Sequence, residues 1–386
     1  MYPIKTYNKI SKIGLDNFDA KYEIGDDVAN PVGAIVRSAA LHEEQFDDSL
    51  LAIARAGAGT NNIPIERCSD EGIVVFNTPG ANANAVKELV LAGLLISSRR
   101  ILPAIEWAKT LKGNGDQVGK MVEKGKSAFV GPEIRGKKLG VIGLGAIGVL
   151  VANAANQLGM KVYGYDPYLS LQNAWNLSHH IIRANDIKEI FETCDYISLH
   201  IPLNKDTKDT INADSLSLMK DGVRILNFSR DALVNSTDMI VALEQGKVAT
   251  YVVDFPTDEM IGVNGVICIP HLGASTPESE DNCAEMAAKQ LIDYIENGNI
   301  TNSVNLPNIS MPRSGDKRIC IIHKNIPNML TSITGIVAKD NVNIENLLNK
   351  SRGDIAYTML DINDCDTESV EKHITAIDGV IKVRVI

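Results

Sequence analysis

The segment GVIGLGAIG, which follows an apolar run and opens a helix-like stretch, constrains the fold of this chain more than any other feature. Gly143, Gly145 and Gly148 have GxGxxG spacing, in which the first glycine permits a tight turn and the second lets a pyrophosphate approach the backbone. Eighteen residues after Gly148, the next apolar run ends at Asp166. A carboxylate there accepts from a ribose 2′-hydroxyl and repels a 2′-phosphate. Together these residues predict a Rossmann-type domain that binds NAD rather than NADP.

Either signal alone has a structural alternative. A glycine-rich turn between strand and helix can serve only chain geometry, and Asp166 precedes Pro167 as a turn-forming aspartate often does. The surrounding pattern favours the cofactor, because short apolar strands alternate with helix-like segments on both sides. Residues 33–36, 51–57 and 72–77 are three such strands, and the alternation continues from residue 137 to residue 270. This βα rhythm predicts an α/β fold with a doubly wound parallel sheet.

The chain divides further at two places. Residues 83–100 have apolar residues at helical spacing, and residues 106–136 are rich in Gly and Lys with weak periodicity, so we place the entry to a second domain near there. Residues 299–317 are rich in Pro and Asn, which suits a flexible linker. The last seventy residues then form a separate unit, whose strand and helix order, βαββαβ, is the ferredoxin-like arrangement.

Composition excludes several classes of protein. A net charge of −10 and a pI near 5.3 disfavour nucleic acid as a partner, and they imply that an anionic substrate needs a local basic pocket. No apolar run approaches the roughly 20 residues of a membrane span, and the first residues lack the apolar segment of a signal peptide. We therefore expect a cytoplasmic protein with no membrane partner. Its six cysteines form no CxxC pair and are expected to be reduced, with no metal bound.

Three polar residues follow later strands, at the edge where open α/β sheets bind ligands. Arg230 follows ILNFS, Glu259 follows VVDFPTD, and His271 follows VICIP. Oxidation of a 2-hydroxy acid needs a base for the hydroxyl proton, a cation for the carboxylate, and a carboxylate that orients the base. Each residue alone has an ordinary explanation as a surface or loop residue. Their joint occurrence after a dinucleotide motif predicts a catalytic set.

With GLGAIG, HIPLNKDT, NFSR, DFPTDE and PHLGAST in this order, the chain resembles the D-2-hydroxyacid dehydrogenase family over nearly its whole length. The resemblance implies that Arg230, Glu259 and His271 are catalytic. The sequence departs from the commoner family pattern at Asp231, because a glycine usually follows the arginine there. It also implies a set of cofactor-binding residues, which are Thr78, Gly143, Gly145, Ala146, Ile147, Gly148, Asp166, His200, Ile201, Pro202, Phe228, Ser229, Asp254, Gly273 and Ala274.

Within the family, RAGAGTNNI looks like the substrate loop. Its glycines bring backbone N–H groups close to a carboxylate, and Arg55 would supply charge for a phosphate, with Ala56 and Gly57 beside it. Arg37 and Ser38, which follow another strand, could join this pocket. The alternative for both arginines is an ordinary surface cation. Lys124 and Lys126 are candidates for reaching a neighbouring subunit's site.

The C-terminal unit resembles an ACT domain, a ligand-sensing module. In serine-inhibited members a His-x-Asn pair and a later Asn bind serine, which implies that His323, Asn325 and Asn343 form a regulatory site. Asn side chains and open backbone groups suit an amino acid. Asn328 replaces a glycine that usually follows the proline of this loop. A domain that only aids assembly is the alternative.

The resemblance also implies a domain layout. Residues 1–97 and 283–310 form a flavodoxin-like substrate domain, residues 98–282 form the NAD domain inserted into it, and residues 317–386 form the ACT domain. The active site then lies in the interdomain cleft, and a homo-oligomer, dimer or tetramer, is expected through the NAD domain.

The leading hypothesis is oxidation of a phosphorylated 2-hydroxy acid, 3-phosphoglycerate, by NAD, with L-serine as a candidate effector. A hydroxypyruvate or glyoxylate reductase on the same scaffold is the second enzyme hypothesis. An NAD-sensing protein without turnover is the hypothesis from another class. Loss of NAD reduction in a His271→Ala variant that still binds NAD separates an enzyme from a sensor.

Overall fold

The computed structural model describes residues 1–339 and 342–386, which form two compact units. One unit combines Met1–Asn82 with Thr276–Ile386, and the other consists of Ala83–Ser275. Among the described residues, no helix is both long and apolar enough to cross a bilayer. The predicted α/β class is confirmed in both units.

The first 82 residues supply a small parallel sheet. Its strands are β1 (Tyr2–Tyr7), β2 (Tyr22–Gly25), β3 (Gly33–Val36), β4 (Ala52–Arg55) and β5 (Val74–Phe76), with the helices α1 (Lys12–Leu15) and α2 (Ile65–Asp70). The strand order is β2-β1-β3-β4-β5. The central strands are almost continuously apolar because a parallel sheet is covered on both faces, and Ile35 and Ile53 are fully buried. Strands β1 and β2 were not predicted, since polar residues such as Lys5 and Glu23 interrupt their apolar pattern.

The second unit begins with helices and then builds a seven-stranded parallel sheet. The helices of this unit are α3 (Ala83–Arg99), α4 (Ile101–Lys109), α5 (Val118–Gly125), α6 (Ala146–Gln157), α7 (Leu171–Asn176), α8 (Ile187–Thr193), α9 (Ala213–Leu218) and α10 (Ser236–Glu244). Its strands are β6 (Lys138–Ile142), β7 (Lys161–Tyr165), β8 (Ile182–Arg183), β9 (Tyr196–Leu199), β10 (Val223–Asn227), β11 (Val248–Val253) and β12 (Val266–Cys268). The order β12-β11-β10-β9-β6-β7-β8 reverses direction between β6 and β9. This is the predicted doubly wound arrangement, and its switch point is where such sheets bind ligands.

A single long helix, α11 (Pro277–Asn297), returns the chain to the first unit. Thr276 caps its start by accepting from the Ser279 N–H, and Pro277 suits the first helical position. Gly298 ends the helix with a φ of 73°, a left-handed conformation that glycine adopts at little cost. Both helix ends were predicted from these residues.

The last part of the chain is a four-stranded antiparallel sheet with two helices. Its elements in chain order are β13 (Lys317–Lys324), α12 (Met329–Lys339), β14 (Ile344–Arg352), β15 (Ile355–Ile362), α13 (Thr367–Thr375) and β16 (Val380–Val385). The strand order β14-β15-β13-β16 with the βαββαβ sequence is the predicted ferredoxin-like arrangement.

The compact units of the structure differ from two of the predicted boundaries. Helix α3 packs on α6, β10 and β11, so the second unit begins at Ala83 rather than at residue 98. It ends at Ser275, because the whole of α11 belongs to the first unit. The weak periodicity of residues 106–136 conceals α5 and the last four residues of α4, and the residues of both helices all lie at least partly in solvent.

The ferredoxin-like domain is also not a separate unit on a flexible linker. Cys320, Ile322, Tyr357 and Met359 share one hydrophobic core with Leu291 of α11 and its neighbours. The linker is ordered by a backbone bridge in which Ile300 and Ile309 exchange hydrogen bonds. Composition misled here because a segment rich in Pro and Asn can follow one fixed path when it covers a core.

Candidate active site

The turn between β6 and α6 has the shape that its glycines predict. Gly143 has a φ of 92°, and a Cβ there would lie 2.4 Å from the His200 carbonyl oxygen. A Cβ on Gly148 would lie 1.9 Å from the Gly143 oxygen, so no larger residue fits at either position. Gly145, the N-cap of α6, would point a Cβ into open space. The start of α6, at Ala146 and Ile147, therefore has its free N–H groups beside room for an anion.

Asp166 lies directly after β7, next to this turn. One carboxylate oxygen accepts from the Leu144 N–H at 2.8 Å, and the other accepts from the Tyr168 N–H at 2.8 Å. A cavity of about 600 Å³ opens beside it. The lining residues are Leu144, Gly164, Tyr165, Asp166, Pro167, Leu169, Leu177, Ser178, Ile181, Arg183, Ala184 and Asn185. Apolar side chains such as Leu144 and Ile181, together with a fixed carboxylate, suit an adenosine, so these residues fit NAD.

The residues after β9 and β10 face the same edge of the sheet. His200 Nε2 lies 2.8 Å from the Ser198 hydroxyl, and burial lowers the His200 pKa to about 4, so the ring is neutral. Ile201 and Pro202 continue this loop. The Ser229 hydroxyl donates to the Leu199 carbonyl at 2.8 Å, which fixes the turn after Phe228. These predicted cofactor residues thus directly follow two neighbouring strands, β9 and β10. The hydrogen bond from Ser229 to Leu199 joins the two loops.

Asp254 ends β11 in a buried position, with 2% of its surface exposed. Its Oδ1 has no hydrogen-bond partner within the described part of the chain, and burial raises its pKa to about 7. A Cβ on Gly273 would lie 3.4 Å from the other carboxylate oxygen, and Ala274 follows. An unpaired buried carboxyl is costly, which indicates that a ligand group meets it.

Arg230 and His271 follow β10 and β12, on either side of β11, and both contact Phe255. The Arg230 guanidinium lies 5.3 Å from the Phe255 ring centre, and the His271 ring lies 4.3 Å from it. His271 has a φ of 42°, which is uncommon for a residue other than glycine, and its N–H donates to the Asp254 and Ile269 carbonyls. Burial and then the positive charge of Arg230 lower the His271 pKa below its usual 6.5. The ring is therefore a neutral base at pH 7.

Glu259, the third member of the predicted catalytic set, is not within hydrogen-bonding distance of Arg230 or His271. Glu259 is exposed and makes no hydrogen bond or ion pair in the portion of the chain described above. It lies in the turn between β11 and β12, on a stretch without regular structure. The unusual Asp231 raises no difficulty, because it has no positive φ and simply begins a short 3-10 turn.

The predicted substrate residues of the first unit lie after β3 and β4. The Arg55 side chain folds against Gly57, where a Cβ would lie 2.3 Å from Nη1, so the glycine makes room for the guanidinium. Arg55 Nε is buried without a partner among the residues described, and burial lowers the Arg55 pKa. Ala56 donates its N–H to the Val36 carbonyl, which ties the loop to the neighbouring strand. Arg55 is therefore a cation with unused donor capacity.

The other predicted binding residues of this unit, Arg37, Ser38 and Thr78, each form a hydrogen bond within the chain. Arg37 pairs with Glu280 of α11 at 2.5 Å, and both are about half exposed. The Ser38 N–H donates to Asn8 Oδ1. Thr78, which is fully buried, donates its N–H to the Gly57 carbonyl, whereas its hydroxyl has no partner in the described region. The structure joins Thr78 to the substrate loop of its own unit.

Lys124 and Lys126 lie at the end of α5 and just beyond it. Lys126 pairs with Glu123 at 2.5 Å and is 61% exposed. Lys124 lies in the last turn of the helix, where a cation is favourable. Within residues 1–339 and 342–386, neither lysine forms a hydrogen bond or ion pair with a predicted residue of the NAD-binding unit.

In the ferredoxin-like domain, a cavity of about 230 Å³ lies at the start of α12. Its lining residues are His323, Asn325, Ile326, Asn328, Met329, Leu330, Thr331 and Asn349. Two of the three predicted regulatory residues are among them. Asn343 is not, because it lies at the start of β14 and its Nδ2 donates to Glu345 at 2.8 Å.

Two further polar residues of this cavity, Asn349 and Asn328, were not among the predicted regulatory residues. Asn349 occupies a strand position with no motif, although the alternation of β14 placed it on a definable face. Asn328 has a φ of 68°, the left-handed conformation that a glycine in its place would adopt. Asn tolerates this conformation better than most residues, so the loop keeps its shape despite the substitution.

Comparison with known proteins identifies related sequences for most of the chain. Residues 92–273 match the D-isomer specific 2-hydroxyacid dehydrogenase, NAD binding domain, and residues 319–382 match an AHAS small subunit-like ACT domain. D-3-phosphoglycerate dehydrogenase of Escherichia coli (strain K12) is 34% identical over 355 residues, covering 88% of this chain and 82% of that protein. The enzyme of the same name from Haemophilus influenzae is 31% identical over 352 residues, covering 87% and 81%.

Among solved structures, the NAD⁺-bound 3-phosphoglycerate dehydrogenase of Entamoeba histolytica is similar with a TM-score of 0.58 and 26% identity. It covers 79% of this chain and 98% of its own. A D-lactate dehydrogenase from Aquifex aeolicus, complexed with NAD and lactic acid, has a TM-score of 0.58 at 23% identity over 79% of this chain and 100% of its own. At that identity the likeness shows the fold alone.

Proposed function

Because this chain belongs to the D-isomer-specific 2-hydroxyacid dehydrogenase family, in its D-3-phosphoglycerate dehydrogenase branch, we propose a residue-level account of its reaction. The reaction is the NAD-dependent oxidation of 3-phospho-D-glycerate to 3-phosphohydroxypyruvate, the first step of serine biosynthesis. One observation carries the account. Arg230, Asp254 and His271 follow three adjacent strands of one sheet, and each keeps side-chain polar atoms unpaired within the described residues.

His271 is the proposed base. Its pKa lies below the usual value, so at neutral pH the ring can take the proton of the substrate's C2 hydroxyl. Arg230 holds the substrate carboxylate with its guanidinium and polarises the carbonyl that forms at C2. A bound NAD would supply the acceptor for the C2 hydride. His271 would take the hydroxyl proton, so that the hydride and the proton leave the substrate together and a ketone remains at C2.

Glu259 stays a prediction as the group that orients His271. A carboxylate beside the imidazole would stabilise the imidazolium that forms during oxidation. This role requires the turn between β11 and β12 to bring Glu259 closer than it lies here. Asp254 is proposed to meet the nicotinamide amide, because its buried unpaired oxygen needs such a partner.

For the phosphate of the substrate we propose Arg55, supported by its unused Nε and its fixed position against Gly57. Arg37 and Ser38 are proposed as additional contacts. Since Arg37 pairs with Glu280, a phosphate would have to compete with that carboxylate. We propose that residues 1–82 and the segment from Thr276 to about residue 310 form the substrate-binding domain.

The assembly and the location are also proposals. Leu95, Ile101, Leu102 and Ile105 are each 40–48% exposed on α3 and α4, and this apolar stripe supports a homo-oligomer formed through the NAD domain. Lys124 and Lys126 on the following segment could then serve a neighbouring subunit.

Six free cysteines support a cytoplasmic location, where thiols stay reduced. L-serine is proposed as the effector, supported by the ACT domain and its cavity.

The test compares NADH formation with 3-phosphoglycerate, D-glycerate and D-lactate, each with removal of the product. We expect turnover with the phosphorylated acid, and a KM for it that is at least about 10-fold higher in Arg55→Met, because a charge-assisted bond to phosphate is lost. The Kd of NAD should not change in this variant. Activity on an unphosphorylated acid alone would overturn the substrate assignment.

A further inference from the structure

A short segment after α11, residues 302–305, adds an extra edge to the parallel sheet of the first unit. Phe76 and Ser303 form an antiparallel bridge, and the Val304 N–H donates to the Val75 carbonyl at 2.9 Å. These bonds use the open side of β5, which is the last strand of that sheet and lies next to β4. The edge segment therefore lies beside the part of the sheet from which the predicted substrate loop emerges.

The edge segment reaches the substrate loop through Asn77, which directly follows β5. The Asn77 N–H donates to the Asn302 carbonyl at 3.3 Å, and Asn77 Nδ2 donates to the Ala58 carbonyl at 2.7 Å. The next residue, Thr78, donates its N–H to the Gly57 carbonyl at 3.1 Å. Two successive carbonyls of the substrate loop are therefore held by the residues that follow β5.

The main chain of Asn77 is fixed on its other side by α11. Gln290, which is 8% exposed, donates from Nε2 to the Asn77 carbonyl at 3.1 Å. Asn77 is thus bonded through its N–H, its carbonyl and its side chain. Because all three bonds hold it, a displacement of the edge segment is passed to the substrate loop rather than absorbed by rotation of Asn77.

The edge segment itself is held by the ACT domain. Arg352, the last residue of β14, donates from Nη1 to the Ser303 carbonyl at 2.8 Å. Among the residues described, its side chain has no other hydrogen bond or ion pair. Asn302, directly before Ser303, has a φ of 59°, a conformation that a residue other than glycine keeps only where its surroundings hold it. Arg352 therefore supports the turn whose carbonyl receives the Asn77 N–H.

We propose that Arg352 is a positioning residue for substrate binding. By holding Ser303, it keeps the edge segment, Asn77 and the substrate loop in the geometry in which Arg55 meets the phosphate. This inference rests on the proposed role of Arg55. It gives the ACT domain a part in substrate binding that needs no effector. Since Arg352 acts through Ser303 and not on the cofactor, its loss changes the KM of the phosphorylated substrate and leaves the Kd of NAD unchanged.

The test is a double-mutant cycle in the full-length enzyme. Arg352→Met removes the donor but keeps an unbranched side chain, and Asn77→Ala removes the bond to Ala58. Lys350→Met is the matched control, because Lys350 lies on the same strand, is also exposed, and donates to another main-chain carbonyl, that of Asn308, at 3.1 Å. The KM for 3-phosphoglycerate, kcat, the Kd of NAD and the melting temperature are measured for each variant.

We expect the KM for 3-phosphoglycerate to rise at least about 3-fold in Arg352→Met and at least about 5-fold in Asn77→Ala, the size of one lost hydrogen bond. In Lys350→Met the rise should stay below about 2-fold, and in the Arg352 and Asn77 variants kcat and the Kd of NAD should change by less than about 2-fold, since only substrate binding is lost. The double variant should exceed Asn77→Ala by less than about 2-fold, because residues in one hydrogen-bonded chain are not additive.

An unaltered KM in either single variant, an equal rise in Lys350→Met, or multiplied effects in the double variant would each overturn the proposal. Arg55→Met is measured in parallel to separate this inference from the proposed function. An unaltered KM in Arg55→Met would mean that the loop does not bind the phosphate, and both would fail. A raised KM in Arg55→Met with no change in Arg352→Met would refute only the role of Arg352.

Discussion

Two groups of polar and charged side chains in this molecule differ in how fully they are hydrogen-bonded. Where the ACT domain meets the end of α11, the side chains Arg318, Arg384 and Tyr357 donate to main-chain carbonyls of the last helical turn and its cap. At the carboxyl ends of β10, β11 and β12, Arg230 and Asp254 keep unused hydrogen-bonding capacity. The side chains of the first group are bonded within the chain at every buried donor except Arg384 Nε, whereas Asp254 Oδ1 in the second group has no partner among the described residues.

The completed group is built around a buried ion pair. Arg318 and Asp361 are each 1% exposed and are joined by two hydrogen bonds of 2.6 and 2.8 Å. Arg318 also donates to the Asn297 carbonyl, while Arg384 donates to the carbonyls of Tyr294 and Ile295. Cations at the C-terminal end of a helix are favourable because the helix dipole is negative there. These residues therefore fasten the ACT domain to the C-terminal end of α11.

The contrast gives a criterion for separating structural from functional charge. A buried polar group that finds all its partners within the chain stabilises the fold, whereas one left unpaired has been retained for a ligand despite its cost. The following predictions test this criterion, beginning with the largest expected effect.

His271→Asn should abolish catalysis without weakening the fold. Loss of the base lowers kcat by about 10²- to 10⁴-fold, the usual range for a general base. Asn tolerates the positive φ of this position, so the melting temperature should be equal to or above that of the wild type. Steady-state kinetics and thermal denaturation measure both, with His180→Asn as an exposed control. A large drop in melting temperature would mean that His271 is structural.

Arg318→Met should have the reverse effect. Removal of the cation leaves Asp361 buried without its partner, which costs about 3 to 5 kcal/mol of unfolding free energy. Urea denaturation measures this loss, and the double variant Arg318→Met/Asp361→Leu should recover much of it because no charge then stays buried. The KM and kcat of the folded fraction should remain near those of the wild type. Equal stability of the single variant and the wild type would refute the structural assignment.

Asp254→Asn should change the pH dependence of stability, with a smaller effect. The pKa of Asp254 in the folded chain is about 7, above its ordinary value of 3.8. The folded state therefore holds this proton more tightly, and as pH rises from about 4 to 7 the wild type loses stability through Asp254. The melting temperature of Asp254→Asn relative to the wild type should rise across this window and level off above it. A constant difference from pH 4 to 8 would contradict the raised pKa.

Local sequence signals predicted the parts of this molecule that depend on local geometry. The glycine turn at Gly143, the cap at Thr276 and the stop at Gly298 are each determined by backbone conformations that few residues adopt. The strand ends that carry Arg230 and His271 follow from apolar runs next to polar residues. Periodicity and turn chemistry are sufficient for such features.

Features that depend on contacts between distant segments could not be predicted. The core shared by Cys320 and Leu291 joins strand β13 to helix α11, and neither sequence pattern indicates that the two elements pack together. The role of Glu259 beside His271 stays a prediction, because the path of the irregular turn between β11 and β12 decides their distance. Asn349 was not predicted to line the ACT-domain cavity, because its position depends on Thr358 of the neighbouring strand rather than on its own surroundings in the sequence.

The division of the first unit has a consequence during synthesis. Its sheet is complete in the nascent chain after residue 82, but α11 and the strands that close its core are the last to be made. At about 5 to 20 residues per second, the ribosome needs roughly 15 to 60 s to produce the missing part. Ala83–Ser275 can fold during this time. The nascent chain then has a folded nucleotide-binding unit, while the apolar face of the first sheet stays exposed until α11 is made.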